Sequence, residues 1–346
     1  MAAPEVARFR RRAHIALFDA TTLRGKAVKG HLAARSFPTA SVRLFTSSSD
    51  PEANLSDYAG EAMLVAAPDI EALGKLDIAF LCGTREEGAR YLDWAGRAGF
   101  VAIDLTGAAS SAPGVTVVNA SVNPEAVSGS AGVIATPHPV SQLLSTLLAP
   151  IRRHGGLREA EAVVLQPASQ FDSAGIDELH QQSIGLMNFQ EMPRQIFGRQ
   201  LAFNVLPAWL QQEGQVPGAD RAELEGEILA ITGGGYSLAV QVVQAPVFHG
   251  HAAMVHLVLE NGRVREDLLG CFKGSDEVRL ARRGDAMTPV ERAGETGVLL
   301  AGFRRGRDDS SFWVWAVSDD LAGGTTLNAV RIAEALLEPA RARVRA

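Results

Sequence analysis

Short, wholly apolar runs alternate with helix-length stretches through the first third of the chain, and this alternation limits the fold more than any other feature. His14-Ile-Ala-Leu-Phe18 has strand length, and Thr21 to Ala34 supports a helix with Leu23, Ala27 and Leu32 among its apolar positions. Ser41 to Phe45 is a second strand, ended by a polar turn from Thr46 to Asp50. Ala62 to Val65, the helix-compatible Asp69 to Leu73 and the strand Asp77 to Leu81 follow. Glu86 to Ala98 then predicts a helix and Phe100 to Asp104 a strand, with Val115 to Val118 and Val133 to Ala135 extending the edge. A strand without polar alternation must be covered on both faces. Helical crossovers provide that cover, so the pattern predicts an α/β unit built on a mostly parallel sheet.

Pro137 and Pro139 interrupt this rhythm, and Val140 to Ile151 resumes it as a helix. Beyond them, Ala162 to Leu165 and Ser237 to Ala245 are strands with a β-branched bias. Alternation from His251 to Leu259 puts His251, Ala253, Val255, Leu257 and Leu259 on one face, and Met254, His256 and Val258 on the other. Phe312 to Val317 is a further strand, with Trp313, Trp315 and Val317 on one side as core or interface residues. A second, strand-rich domain over 138–324 accounts for this region, and an amphipathic helix from Leu327 to Leu337 is expected to return to the first domain.

Composition removes several classes of function. With 346 residues and 47% in the hydrophobic group, the chain buries a core of two-domain size and is not dominated by disorder. Its 33 Lys and Arg against 39 Asp and Glu leave a net charge of -6, which opposes a general nucleic-acid or anionic-membrane role. No stretch reaches the roughly 18 to 20 apolar residues of a membrane span. The arginine run ending at Arg12 precedes too short an apolar stretch for an export signal, so it is read as a solvated arm and the protein as cytoplasmic. Two cysteines, Cys82 and Cys271, form no disulfide framework, and His249 and His256 lack partners at metal-ligand spacing, so no metal site is expected. Arg282-Arg283 and Arg304 to Arg307 stand beside Asp285 and Asp308-Asp309 and are read as solvated loops.

A phosphate turn after a first strand needs glycines, because the backbone must turn tightly and approach the pyrophosphate closely. Here the three positions at that spacing are Asp19, Thr22 and Gly25, so only the last glycine is present. Asp19 sets a carboxylate where a phosphate would sit. Arg24 is placed to offset part of its charge, and the following helix still offers N–H donors. Cys82 and Asp104 lie at strand ends on the side where such sheets bind ligands, but Cys82 also reads as a small buried hydrophobe.

Several ordered pieces run from roughly residue 13 to 338. They are Phe18 to Gly25, Val122-Asn-Pro-Glu125, Gln166, Gly175-Ile-Asp-Glu-Leu179, Ala202-Phe-Asn-Val-Leu-Pro207, Ala245-Pro-Val247, Gly250-His251, Val317-Ser-Asp319 and Gly324-Thr-Thr-Leu-Asn-Ala-Val-Arg-Ile-Ala-Glu334. Together they resemble the aspartate-semialdehyde dehydrogenase family, most closely its divergent USG-1-type homologues. The resemblance implies a Rossmann-like NAD(P)-binding-type domain over 1–137, completed by a C-terminal helix over 325–346. It also implies an α+β dimerisation domain over 138–324 and a homodimer. The family chemistry is attack of a Cys thiolate on an aldehyde, hydride transfer to NADP, and release of the thioester to phosphate.

Residue by residue, the resemblance places Gln166 at the substrate-orienting position and His251 at the acid–base position. Thr21, Thr22, Gly25 and Asn328 fall at cofactor positions. The nucleophile position is Pro139, which has no nucleophilic atom. The substrate-carboxylate Arg position is Gln244, a phosphate-binding Arg position is Ser110, and a glycine loop has become Gln170-Phe-Asp172. These departures touch different ligands. The expectation is therefore a catalytically inactive or strongly diverged homologue with a binding, scaffolding or regulatory role, and with NADP disfavoured by the altered turn. Two alternatives stand beside it. One is an NAD(P)-dependent oxidoreductase that transfers hydride without a covalent intermediate, using His251. The other is pairing with an active paralogue or another protein partner that the sequence does not identify.

Overall fold

The computed structural model describes residues 12–49, 54–129, 132–208, 220–260, 263–285 and 287–337. Most of the arginine arm, Asp50 and the tail of the expected C-terminal helix lie outside the described residues. The chain divides into two compact units: 1–120, 124–136 and 327–346 form unit 1, and 121–123 with 137–326 form unit 2.

Unit 1 is built on one sheet whose strands are β1 (Ala13–Phe18), β2 (Thr39–Phe45), β3 (Leu55–Tyr58), β4 (Glu61–Ala66), β5 (Ile78–Leu81), β6 (Val101–Asp104), β7 (Thr116–Val117) and β8 (Val133–Ala135). Their order across the sheet is β3-β4-β2-β1-β5-β6-β8-β7. Every described pairing is parallel except β3 with β4. Side chains alternate across a strand, so β1 feeds two cores. Ile15 and Leu17 pack with Val28, Leu32 and the C-terminal helix residues Val330 and Ile332. Ala16 and Phe18 pack on the opposite face with Tyr91, Ala95 and Phe100, where the Phe18 and Tyr91 rings lie 4.4 Å apart. Helix α1 (Leu23–Ala34) starts at a Thr22 cap. Helix α2 (Arg85–Ala98) starts at a Thr84–Glu87 capping box and ends at a left-handed Gly99.

Unit 2 holds a mixed sheet of β9 (Leu157–Gln166), β10 (Leu206–Pro207), β11 (Ser237–Gln244), β12 (His251–Leu259), β13 (Val278–Leu280), β14 (Val298–Arg305) and β15 (Ser311–Ser318), in the order β10-β11-β9-β12-β15-β14-β13. Helices α3 (Pro139–Pro150) and α5 (Arg221–Thr232) cover one face, where Val140, Leu144, Leu147, Leu224 and Ile228 meet Ala253, Val255 and Leu257 of β12. Between them in sequence, α4 (Asp172–Met187) packs Leu179 with Phe197 and Leu201 in a separate cluster. The other face of the sheet is left half open. Val163, Met254 and Trp313 keep 44%, 42% and 40% exposure, and His256 stacks on Trp313 at 4.7 Å.

Three differences from the sequence reading have physical causes. Strand β9 extends back to Leu157 because Arg158, Glu159 and Glu161 alternate onto the open face, which a search for apolar runs passes over. Asp69 to Leu73 yields only a single 3-10 turn, Glu71–Leu73. Strands β3, β13 and β14 and helices α4 and α5 go unpredicted, since each is short, glycine-containing or charged on one side. In one basic cluster Arg305 lies 2.6 Å from Asp309, as expected, whereas Asp285 pairs at 2.6 Å with Arg279, outside the Arg282–Arg283 cluster.

Candidate active site

Strand register in unit 2 collects the predicted polar residues at one end of four neighbouring strands. Gln244 of β11 pairs with Gln166 of β9, Leu165 of β9 with Ala252 of β12, and His251 of β12 with Ser318 of β15. Gln166, Gln244 and His251 are each at most 2% exposed. The two glutamines bind each other: Gln166 Nε2 donates to Gln244 Oε1 at 3.0 Å, and Gln244 Nε2 donates to the Gln166 carbonyl at 3.0 Å. Gln166 Oε1 and His251 Nε2 are buried without a hydrogen-bond partner.

Burial pushes the His251 pKa down to about 4, and the charge of Asp319 offsets only part of that. The Asp319 carboxylate is already engaged, accepting the N–H groups of Leu321 at 3.0 Å and Gly294 at 2.8 Å. His251 is therefore a neutral imidazole at neutral pH. It can accept a proton but holds none to give as an imidazolium.

Pro139 is the first residue of α3, a position that suits proline because its missing N–H would be unpaired there anyway. His138 caps the helix, its Nδ1 accepting the Val140 N–H at 3.2 Å. Its own N–H donates to Glu227 at 2.9 Å, and its Nε2 lies 3.2 Å from Gln170 Nε2. Gln170 follows β9 by four residues, so the start of α3 and the end of β9 meet. Neither cysteine joins this group. Cys82 is a buried member of the unit 1 core. Cys271 packs partly buried against the unit 2 core, donates to the Asp267 carbonyl at 3.2 Å, and has its thiol pKa raised by burial.

The phosphate turn of unit 1 is formed but differently occupied. Gly25 is required by packing, since a Cβ there would sit 2.5 Å from the Asp19 carbonyl oxygen. Thr22 Oγ1 accepts the Gly25 N–H at 3.0 Å and donates its proton to the Asp19 carbonyl at 2.8 Å, with the Cys82 carbonyl 3.1 Å away, while Thr21 pairs with Thr46 at 3.0 Å. Arg24, expected to offset Asp19, donates to the Leu105 carbonyl. Asp19 itself adopts a left-handed backbone with φ of 58° and is 2% exposed. The turn therefore keeps the glycine needed for helix packing but presents a carboxyl group to a pyrophosphate, and the two do not fit. Asn328 is committed to the backbone, accepting from Ala120 N–H and donating to the Val118 carbonyl, both at 2.7 Å. Asp104 holds its own loop through Thr106 and Ala109, and Ser110 donates to the Gly107 carbonyl. Ser47 and Glu87, which flank Asp19, escape a reading by motif, although Glu87 had a usable signal in its capping box with Thr84.

Among the described residues no helix is long and apolar enough to cross a membrane. No group of three or more His, Cys, Asp or Glu there could hold a metal ion.

Comparison with known proteins gives the same outline. Residues 14–130 match the semialdehyde dehydrogenase NAD binding domain, and residues 148–322 match the semialdehyde dehydrogenase dimerisation domain. Aspartate-semialdehyde dehydrogenase 2 of Vibrio cholerae is 29% identical over 94% of this chain and 97% of its own. A USG-1 protein homolog of Pseudomonas aeruginosa is 27% identical over 94% of this chain and 98% of its own. A crystal structure of aspartate semialdehyde dehydrogenase II from Vibrio cholerae complexed with ASA superposes with a TM-score of 0.84 at 26% identity, covering 94% of this chain and 98% of that one. The chain belongs to the semialdehyde dehydrogenase family, among relatives that include aspartate-semialdehyde dehydrogenases and USG-1 protein homologues.

Proposed function

We propose that this chain is a semialdehyde dehydrogenase homologue without covalent aldehyde chemistry, kept as a dimeric binding or regulatory protein. The observation that carries this reading is Pro139 at the first turn of α3, the position at which the family resemblance puts the nucleophile. Hemithioacetal and thioester formation needs a thiolate, and of the two thiols Cys82 is buried in the unit 1 core while Cys271 packs partly buried against the unit 2 core, neither among the residues around Pro139. Gln244 supports the reading, because an amide bound to Gln166 offers no fixed positive charge to a substrate carboxylate. The half-open sheet face, where Val163, Met254 and Trp313 stand beside Glu161 and His256, supports a homodimer, since a second copy would cover its exposed apolar side chains.

The test is oxidation of aspartate semialdehyde by the purified protein with NADP and phosphate, with intact-protein mass spectrometry of the same reaction. No turnover and no acyl adduct are expected. An acyl group on Cys82 or Cys271 would overturn the reading. Sedimentation at several concentrations tests the dimer.

A second reading, non-covalent hydride transfer to or from an aldehyde, is favoured by one observation. His251 Nε2 and Gln166 Oε1 remain buried and unpaired at one end of the sheet, as groups awaiting a ligand would be. NADPH consumption that depends on an aldehyde and is lost in His251→Gln would establish it.

A further inference from the structure

The turn between β1 and α1 in unit 1 holds a polar group that the functional reading leaves unexplained. Asp19 Oδ1 accepts the Ser47 N–H at 2.8 Å, and the Ser47 hydroxyl lies 2.7 Å from the same oxygen. That hydroxyl also meets Glu87 Oε1. A hydroxyl has one proton and can donate it to only one of two carboxyl groups. The second contact is attractive only when a carboxyl proton makes it, so the two acids share one carboxyl proton and carry one negative charge. Burial raises the pKa of Asp19. At Glu87 burial acts the same way, but hydrogen bonds from Ser47 and Thr84 outweigh it and lower the pKa. Burial thus biases Asp19 towards the protonated form, and hydrogen bonding biases Glu87 towards the ionised one.

Gly83 allows the two acids to close together. A Cβ at that residue would lie 2.3 Å from Asp19 Oδ2 and 2.5 Å from Glu87 Oε2. Asp19 Oδ2 is buried there with no hydrogen-bond partner. In a doubly wound sheet a dinucleotide lays its pyrophosphate at the first βα turn and its ribose at the end of the second strand. Asp19 stands at the first of these places and Ser47, just past β2, at the second.

We propose that the Asp19–Ser47–Glu87 bridge is an internal anion that closes this turn to a dinucleotide. The bridge takes the Ser47 amide and hydroxyl, two donors at the ribose position, fills the phosphate turn with the Asp19 carboxyl, and keeps its one negative charge, towards Glu87, beside it. Like charges in a site of low dielectric repel far more strongly than in water. This inference rests on the reading that unit 1 no longer uses the family cofactor, and it names the residues responsible.

The experiment is a titration of NADPH into the full-length wild type, Asp19→Gly and Asp19→Asn, followed by calorimetry and nicotinamide fluorescence. Glycine suits the left-handed backbone at this position, and asparagine keeps the size while removing the acid. The wild type is expected not to saturate at millimolar nucleotide, and Asp19→Gly to gain at least about tenfold in affinity. Asp19→Asn should gain less. Micromolar binding by the wild type, unchanged in both variants, would overturn the proposal. So would the absence of any gain in two variants that still melt cooperatively. Unchanged binding without aldehyde turnover defeats the bridge alone, whereas an acyl adduct in the wild type defeats the functional reading.

Discussion

His251 in unit 2 and Asp19 in unit 1 are both buried titratable groups, and they respond to burial in opposite directions. In unit 2, loss of water lowers the pKa of His251 to about 4. In unit 1, loss of water raises the pKa of Asp19 above its ordinary 3.8. One cause acts on both, since burial disfavours whichever form carries charge. What differs is the surroundings. The His251 end of the sheet is lined by amides that bind each other, as in the Gln166–Gln244 pair. The Asp19 turn brings two acids together through Ser47. The first site holds neutral amides and a neutral imidazole, and the second holds two acids joined through Ser47.

The sharpest test of that contrast is Gly25→Ala. Its new methyl would press on backbone atoms of the Asp19 turn, which cannot rotate away as a side chain would. A loss of about 3 to 5 kcal/mol in urea unfolding is expected. A loss below about 1 kcal/mol would mean that the turn is looser than the bridge requires.

The next effect is the pH dependence set by His251. Between its unfolded value of 6.5 and about 4, the folded state binds fewer protons than the unfolded state. Stability from this group is therefore present above pH 6.5 and is lost as pH falls towards 4. The loss reaches about 3 kcal/mol, and His251→Gln should flatten it in denaturant melts across that window.

Gln244→Ala comes third. It leaves Gln166 Nε2 buried without an acceptor and should cost about 2 kcal/mol, with no recovery of aldehyde oxidation. A neutral result would show that water already serves this row. The smallest effect belongs to Asp19→Asn. Because the folded-state pKa of Asp19 is raised, its contribution is most favourable below 3.8 and declines as pH rises through the folded value. The variant should lose this decline, giving a slope opposite in sign to the one removed in His251→Gln.

Much of unit 1 was legible because its strands are apolar without interruption. Such runs can only be buried, as β1 and β5 are. The positions of Gln166, His251, Gln244 and Pro139 were readable through family resemblance, but their partners were not. No spacing in the sequence says that Gln244 will bind Gln166, because that contact depends on the parallel register of β9 and β11. Asn328 was expected near a cofactor, yet its carboxamide is occupied by Ala120 and Val118, some two hundred residues away in sequence.

The chain by itself determined which functional group stands at each position. A thiol, a guanidinium or a glycine is either encoded at a position or absent from it. Only the folded structure decided what took their places, because hydrogen bonding and desolvation depend on groups brought together by the sheets. Ser47 and Glu87 lie forty residues apart, and neither marks a site until β2 and α2 bring both against Asp19.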